Sequence, residues 1–502
     1  MESEENRIAA TSGGLAQPEG HAAGDMSPEE FRRHGHRLVD WIADYLAHPE
    51  RLPVLARVKP GQLKAALPDA APETGEDFDG VLDDWERLVL PAVTHWNHPG
   101  FFAYFAITGS GPGILGEMLS QALNVNAMLW RTGPAATELE EVVMGWLRKM
   151  VGLPEQFFGV VMDTASVSSL CAIAAAREAL NLGLREVGMA GGPRLRLYAS
   201  EQAHSSIEKA AIVLGVGQQG VRKIPADSQF RLDAAALAAA VRQDRAGGWL
   251  PFCAVATVGT TSTTSVDPVP AIAEVCAAEK MWLHVDAAYA GAAAVLPEFR
   301  HILAGCERAD SLVMNPHKWL FTPFDFSAFY FRHPETLRAA FSLVPEYLRT
   351  PEDARARNFM DYGVQLGRRF RALKFWFVLR YFGQKGLRDR LRHHILLAQR
   401  FAAWVDEHAD FERLAPAPFS VVCFRARPAN IAPSDARLDA FNSALLEAVN
   451  ASGEVFLSHT KLGGRFTIRL AVGNLRTTEE HVRAAWDLLR SQAAALAPRF
   501  FS

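Results

Sequence analysis

The sequence predicts an α/β protein with a mostly parallel sheet that is covered by helices on both faces. Between residues 111 and 373, helical periodicity alternates with short apolar runs that end at turn residues. Strands that alternate with helices in this way pair in parallel. Ligands of such sheets bind at the carboxyl ends of the strands, so residues that follow a strand are the first candidates for a functional site. The predicted strands are 195–199, 252–258, 281–285 and 311–314.

The composition excludes several classes of protein. With 502 residues, of which 49% are hydrophobic and 22% charged, the chain has enough apolar material for two or three globular domains. A net charge of -4 gives no general attraction to nucleic acid or to an anionic membrane. No membrane-spanning run or signal-peptide core occurs, and the five cysteines form no CxxC pair. We therefore expect a cytoplasmic protein that acts on small organic molecules.

Four segments are expected along the chain: a disordered tail, an N-terminal helical segment, a large α/β domain and a small C-terminal α+β domain. Their bounds are residues 1–25, 26–110, 111–373 and 374–502. The helical segment begins at the cap residue Ser27 and carries an apolar stripe around Trp41 that needs a partner. The last segment combines predicted strands at 419–425 and 466–472 with a final helix at 478–493.

The stretch SLVMNPHKWL, at 311–320, contains the leading functional candidate. Its apolar run has the length of a buried strand and ends at Asn315 and Pro316, a pair that starts turns. Lys318 follows directly. A lysine at this place either extends its amine to water or keeps it desolvated. A desolvated lysine has a lowered pKa and can form a Schiff base with an aldehyde such as pyridoxal phosphate (PLP).

Other strand ends carry polar residues too. Asp286 follows the strand at 281–285, and a carboxylate there is costly unless it meets a cation such as a protonated pyridine nitrogen. The hydroxyl-rich turn at 163–169 opens a helix, as phosphate-binding turns do. His204 stands where an imidazole can stack on a flat cofactor. Each of these features also has an ordinary explanation. Asp286 and the residues of the turn can simply cap helices, and His204 can have a structural role.

The remaining candidate sites are weaker. His95 and His98 lack a third ligand at metal-site spacing, so no metal is expected. The aromatic run at 101–105 is either core or the wall of a ligand pocket. The helix that carries Arg368 and Lys374 has a basic face, but the chain is acidic overall, so no nucleic-acid partner is expected.

The motifs NPHKW, HVDAAYAG, EQAHSSIEKA, ATVGTT and TELEEVVMGWLRKM together resemble those of group II PLP-dependent amino acid decarboxylases, specifically the aromatic L-amino acid decarboxylases. The similarity runs from about Ser27 to the C-terminal helix. It implies a fold type I PLP-dependent enzyme, like aspartate aminotransferase, that forms a homodimer. The N-terminal helices of such a dimer clasp the partner subunit, which would cover the stripe near Trp41.

The resemblance also assigns roles to single residues. It implies that Lys318 binds PLP, that Asp286 pairs with the pyridine nitrogen and that His204 stacks on the ring. The other residues that it places around the cofactor are Ala165, Ser166 and His317 at the phosphate, with Thr260, Ala288 and Asn315 lining the rest. Asp163 departs from the glycine-serine form common at this turn, and we expect its carboxylate to point away or to cap the helix.

Decarboxylation requires a proton to be returned to the substrate carbon, and the resemblance implies Tyr347, on a mobile loop, as the donor. Taken alone, Tyr347 is equally typical of a surface tyrosine. Tyr347 together with His204 favours decarboxylation to the amine and CO2 over the aldehyde synthase reaction of relatives that carry phenylalanine at this position.

The expected substrate contacts are Trp96, Phe105 and Met128, with Gly367 of the partner subunit. These apolar or small residues favour an aromatic side chain over a second carboxylate, although Arg131 keeps glutamate open. The choice among tryptophan, tyrosine, phenylalanine and dihydroxyphenylalanine stays open, because it can rest on a single hydrogen bond.

Overall fold

The computed structural model describes residues 25–343, 348–352, 355–429 and 434–501. The chain divides into two compact units. One is formed by Met1–His48 with Val58–Ala92, and the other by Pro49–Arg57 with Val93–Ser502. Most of the predicted disordered tail, residues 1–24, lies outside the described residues. The four predicted segment boundaries stay predictions.

The smaller unit is helical. Its helices are α1 (Pro28–Ala47), α2 (Gln62–Ala66) and α3 (Phe78–Asp84), and a π-helical turn follows at Trp85–Val89. Ser27 caps α1 as predicted, because its hydroxyl accepts the Glu30 N–H at 3.2 Å while the Glu30 carboxylate accepts the Ser27 N–H at 3.1 Å. Trp41 packs edge-on against Trp85, with ring centroids 4.7 Å apart. Part of the predicted stripe is thus covered within this unit, whereas Phe31 remains 69% exposed.

The larger unit is built on a seven-stranded sheet. Its strands are β1 (Phe158–Met162), β2 (Arg194–Ser200), β3 (Val221–Ile224), β4 (Trp249–Thr257), β5 (Trp282–Asp286), β6 (Ser311–Met314) and β7 (Ser327–Phe331). Their order in the sheet is β1-β7-β6-β5-β4-β2-β3. All strands run parallel except β7, which is antiparallel to both of its neighbours. The predicted mostly parallel sheet is confirmed.

Alternate residues along the strands enter two apolar cores, one on each face of the sheet. Tyr198 and Leu283 belong to one core, whereas Leu197 and Val255 belong to the other. The helices of this part of the chain are α4 (Gly111–Leu123), α5 (Pro134–Val151), α6 (Ala165–Glu178), α7 (Leu184–Val187), α8 (Ser206–Val213), α9 (Ala234–Ala246), α10 (Val269–Glu279), α11 (Pro316–Trp319) and α12 (Pro334–Phe341).

The C-terminal part has a sheet of its own. Its elements are α13 (Arg371–Glu407), β8 (Phe411–Arg413), β9 (Val421–Ala426), α14 (Asp435–Ala451), β10 (Ser458–Leu462), β11 (Arg465–Ala471) and α15 (Glu479–Phe501). The four strands are antiparallel, in the order β10-β11-β9-β8. Helix α13 is kinked at Gly383, whose φ of 63° is readily adopted by glycine.

A buried ion pair joins three segments of the larger unit. Arg368, which precedes α13, lies 2.7 Å from Glu140 of α5, and both residues are less than 9% exposed. The same Glu140 oxygen accepts the N–H of Val161 on β1 at 2.8 Å, and the guanidinium of Arg368 donates to the Val161 carbonyl at 2.7 Å. Because little water reaches either charge, each depends on the other for compensation.

Replacing Glu140 by alanine should destabilise the protein by about 3–5 kcal/mol, because the charge of Arg368 stays buried without its partner. Chemical denaturation followed by circular dichroism measures this loss. The matched control is Glu335→Ala, which removes the exposed ion-pair partner of Arg338 and should cost less than about 1 kcal/mol. Equal losses for the two variants would contradict a compensating role for Glu140.

Candidate active site

Three neighbouring strands bring the main candidates to one edge of the sheet. Asp286 is the last residue of β5 and pairs in register with Thr257, the last residue of β4, and with Val313 of β6. Lys318 lies in α11, a single helical turn that begins directly after β6. The carboxyl ends of parallel strands meet at the same edge, so the carboxylate and the amine come together although 32 positions of sequence separate them.

The amine of Lys318 is the most unusual group of this edge. Burial lowers its pKa, and the nearby charge of Asp286 acts in the opposite direction. Its Nζ lies 5.2 Å from the ring centroid of Phe105. Within the described part of the chain, this amine makes no hydrogen bond or salt bridge. A desolvated amine without a fixed partner gives up its proton more easily and is then nucleophilic.

Hydrogen bonds of the backbone fix the residues around this amine. One carboxylate oxygen of Asp286 accepts the N–H of Ala288 at 3.1 Å. The Ala288 carbonyl accepts the N–H of Asn315 at 3.0 Å, and the Asn315 carbonyl accepts the N–H of Lys318 at 2.9 Å. Asp286 is only 6% exposed, and its second oxygen has no donor among the described residues. That oxygen is free to meet a cation of a ligand.

In two histidines of this edge, Nδ1 accepts a hydrogen bond from a backbone N–H, so the proton of the neutral ring lies on Nε2. Nδ1 of His317 accepts the N–H of Phe326 at 2.9 Å, and burial lowers the pKa of His317 to about 3. The ring is therefore neutral, with its proton on Nε2. Nδ1 of His204 accepts the N–H of Ser206 at 3.2 Å. Partial burial lowers the pKa of His204, against the charge of Asp286, and the ring keeps an exposed face.

The predicted phosphate turn is the first turn of α6. The helix begins at Ala165, within the predicted turn at 163–169, so the N–H groups of Ala165 and Ser166 are the first of the helix. No acceptor for these two groups occurs in the described ranges. Asp163 does not cap the helix: its carboxylate accepts the N–H of Thr164 at 2.6 Å and the amide of Gln365 at 3.1 Å.

The turn after β4 carries Thr260. Its hydroxyl lies 3.0 Å from that of Thr263 and accepts the N–H of Ser265 at 3.0 Å. Gly259 precedes it with a φ of 91°, and a Cβ at this position would lie 2.5 Å from the Cβ of Ala290. Only glycine fits here, because the turn approaches the segment after β5 so closely.

Aromatic rings stack beside Lys318. The ring of Tyr289 lies parallel to that of Phe105, with 3.8 Å between centroids, and parallel to that of Trp319 at 4.8 Å. Trp96 belongs to a neighbouring cluster, 4.4 Å from Phe101. The structure therefore places Phe105 next to the amine and fixes its ring from behind by stacking.

Met128 and Gly367 lie in a second group. Met128 packs against the small apolar cluster of Leu129, Leu348 and Met360, and the amide of Asn126 lies 3.6 Å from its sulfur. A Cβ added to Gly367 would lie 3.8 Å from the same amide. In the parts of the chain that are described, no hydrogen bond, ion pair or ring contact joins this group to Lys318 or Phe105. Tyr347 lies outside the described residues.

The two histidines considered as metal ligands are core residues. His95 and His98 are at most 5% exposed, and burial lowers the pKa of His98 to about 4. Within the ranges that the structure describes, no group of three or more potential ligands is arranged to hold a metal ion. None of the described helices has the length and apolar character of a membrane span.

Comparison with known proteins identifies the family. The family model described as "Pyridoxal-dependent decarboxylase conserved domain" matches residues 60–427. The chain belongs to the pyridoxal-dependent decarboxylase family. This confirms the predicted family and cofactor class and makes the protein a carboxy-lyase.

The relatives of the decarboxylase match it over nearly its full length. It is 43% identical to tyrosine decarboxylase 4 of Petroselinum crispum, over 95% of this chain and 96% of that protein. It is 41% identical to phenylacetaldehyde synthase of Arabidopsis thaliana, over 94% of this chain and 97% of that protein. The crystal structure of Oryza sativa TDC with PLP and tryptamine superposes with a TM-score of 0.92 at 38% identity, over 95% of this chain and all of that one. The predicted fold type I architecture is confirmed.

The side chains of the decarboxylase fit PLP. The amine of Lys318 lacks a partner, Asp286 has a free oxygen, and the first turn of α6 has free N–H groups. Asn315 adds a buried side-chain oxygen that has no hydrogen-bond partner in the described part of the chain. Unpaired donors and acceptors of this kind are costly unless a ligand completes them, and an aldehyde, a pyridinium and a phosphate would complete them.

Sequence reasoning missed Asp267, which braces the cofactor edge of the decarboxylase. Its carboxylate accepts the N–H of Thr257 and that of Leu232, each at 2.7 Å. The residue is 2% exposed, and burial raises its pKa to about 6. In the sequence, Asp267 precedes a proline and is typical of an ordinary helix start, so only the spatial contacts distinguish it.

Because the folded-state pKa of Asp267 is raised, its contribution to stability is complete below the unfolded pKa and is lost as the pH rises through about 6. Asp267→Asn removes the titration and one acceptor. The variant should be less stable than the wild type, and its deficit should shrink by about 1.4 kcal/mol between about pH 5 and about pH 8. Urea unfolding of both proteins at the two pH values measures this, and a deficit that is independent of pH would contradict the shift.

Proposed function

We propose that the decarboxylase removes CO2 from an aromatic L-amino acid and releases the aromatic amine. The observation that carries this proposal is the desolvated, unpartnered amine of Lys318 beside the carboxylate of Asp286 and the ring of Phe105. The relatives named as tyrosine decarboxylase and as TDC, the latter solved with tryptamine, support an aromatic substrate.

Each residue of the edge contributes a separate physical effect. When bound, PLP supplies the aldehyde that captures the amino acid and an electron sink for the bond to CO2. Lys318 contributes an amine that gives up its proton more easily, because burial lowers its pKa. Asp286 holds a proton at the pyridine nitrogen through its free oxygen. The free N–H groups of Ala165 and Ser166 hold the phosphate at the positive end of α6, and His317 donates from Nε2.

His204 and Tyr347 are proposed to act on the substrate side. The exposed face of the His204 ring covers the cofactor, and its Nδ1 is occupied by Ser206, which keeps the ring from turning. Tyr347 supplies the proton that returns to the substrate carbon. A tyrosine hydroxyl performs this step more readily in a site from which water is excluded. Phe105 and Trp96 contribute apolar walls for the aromatic side chain.

A second copy of the chain is part of this proposal. Six apolar residues of α4 and of the segment before α13 are 45–61% exposed, and exposed apolar residues that cluster mark a surface that a partner can cover. They are Leu115, Met118, Leu119, Leu123, Val364 and Leu366. Gly367 lies in the same segment, so a homodimer that covers this surface would carry Gly367 to the site of the partner. The N-terminal helices would add to the interface through residues such as Phe31.

A cytoplasmic location remains part of the proposal. All five cysteines are buried and unpaired, and burial raises the pKa of Cys171 to about 12. Thiols of this kind are typical of proteins that keep their cysteines reduced.

The decisive experiment records the visible spectrum of the purified protein with PLP and assays CO2, amine and hydrogen peroxide with each aromatic amino acid and with glutamate. Bound PLP should give a band that is absent in Lys318→Ala, and amine formation should fall about 10³-fold or more in that variant. The control is Lys461→Ala, at an exposed lysine of β10, which should keep both the PLP band and the wild-type rate of amine formation.

The products separate the two reactions of the relatives. CO2 and amine without peroxide establish the decarboxylase reaction. Peroxide with aldehyde would assign the protein to the synthases instead, as in its Arabidopsis relative named phenylacetaldehyde synthase. A protein that shows no Lys318-dependent band would contradict the proposed site as a whole.

A further inference from the structure

Asn126 lies beside Met128 and beside Gly367, the residue that the proposed homodimer carries to the site of the partner subunit. Its Nδ2 is 3.6 Å from the sulfur of Met128. The position of a Cβ on Gly367 would be 3.8 Å from the same nitrogen and 4.0 Å from Oδ1. Asn126 and Gly367 are both exposed. A ligand of the partner's site that reaches Gly367 therefore meets this amide as well.

The orientation of the amide is fixed by the backbone. Oδ1 of Asn126 accepts the N–H of Arg368 at 3.0 Å, which directs Nδ2 to the opposite side. The Arg368 carbonyl accepts the N–H of Ala127 at 2.8 Å, and the Asn126 carbonyl accepts the hydroxyl of Thr132 at 3.0 Å. Since Arg368 is held by its buried ion pair with Glu140, the amide stands on a rigid support.

The amide keeps donor capacity for a ligand. Nδ2 carries two hydrogens, and in the described ranges its only partner is the sulfur of Met128, which is a weak acceptor. The flanking residues, Gly367 and Met128, are apolar. A fixed N–H donor in such surroundings discriminates strongly between ligands that offer an acceptor and those that do not.

We infer that Asn126 is a specificity-determining residue that donates a hydrogen bond to a ring hydroxyl of the substrate bound in the partner's site. This inference rests on the proposed aromatic decarboxylase and its dimer. A phenolic oxygen accepts a hydrogen bond, whereas a phenyl ring offers no acceptor and an indole N–H is only a donor. Hydroxylated substrates, tyrosine and dihydroxyphenylalanine, are thus preferred over phenylalanine and tryptophan.

The test compares kcat/KM for tyrosine and phenylalanine in the wild type and in Asn126→Leu, which keeps the size of the side chain and removes the donor. The ratio of tyrosine to phenylalanine should fall about tenfold, as expected for the loss of one hydrogen bond. A loss of folded protein would lower both rates alike and leave this ratio unchanged. Gln156→Leu, which removes an exposed amide elsewhere, is the matched control and should keep the ratio.

Binding of the product amines gives a second readout without turnover. Equilibrium dialysis should show that the preference for tyramine over phenethylamine, measured as the ratio of Kd values, falls by a similar factor in Asn126→Leu. Asn126→Asp replaces the donor by an acceptor, so it should weaken tyramine binding and favour tryptamine, whose indole N–H can donate.

Hybrid dimers test whether the residue acts across the interface. Lys318→Ala subunits are inactive but carry a normal Asn126, so mixing them with Asn126→Leu subunits should restore the wild-type ratio in the one active site of each hybrid. A hybrid that keeps the ratio of Asn126→Leu would place the residue in its own subunit's site and overturn the inference.

The outcomes separate this inference from the proposed function. If the wild type forms amine from tyrosine and phenylalanine and the ratio is the same in Asn126→Leu, the decarboxylase stands and the assignment of Asn126 is wrong. If no aromatic amino acid yields CO2, both are wrong.

Discussion

The desolvation of a single amine is the constraint on which the rest of the site depends. The pKa of Lys318 can be lowered only if its surroundings exclude water and do not supply a fixed anion at salt-bridge distance. The aromatic stack that ends in Phe105 provides the first condition, and the strand spacing that keeps Asp286 near but unpaired provides the second. The second condition follows from placing Asp286 and Lys318 at the ends of adjacent strands of one parallel sheet.

The side chains of the site are held in place by hydrogen bonds with peptide groups of the backbone. The residues that face the cofactor edge are held by peptide groups or by side chains that bind peptide groups: Ala288 holds Asp286, Phe326 holds His317, and Asp267 holds the end of β4. The pair of Arg368 and Glu140 does the same at the second group of residues. Such supports keep polar side chains in one orientation without using the atoms that a ligand needs.

The cofactor edge could be predicted from sequence because its residues follow strands, and parallel topology brings strand ends together whatever their distance along the chain. Asp286 and Lys318 are examples. Strand β7 and its pairing with β1 could not be predicted from the sequence. An antiparallel strand inside a parallel sheet does not follow the alternation of strand and helix. The contact of Asn126 with Gly367 was equally hidden, since it joins two loops through tertiary packing alone. Asp163 stood out as a departure, but only its bond to Gln365 explains why it is tolerated.

The measurement that tests the central claim most directly is the pKa of the Lys318 amine in the protein without PLP. Competitive acylation at a series of pH values, with mass spectrometry of the Lys318 peptide and the exposed Lys461 as reference, gives this value. We expect a pKa below the ordinary lysine value of about 10.4, and a further decrease in Asp286→Asn, because the carboxylate raises the pKa of the amine. An ordinary pKa, or an increase in Asp286→Asn, would show that the Lys318 amine is not desolvated in the way described.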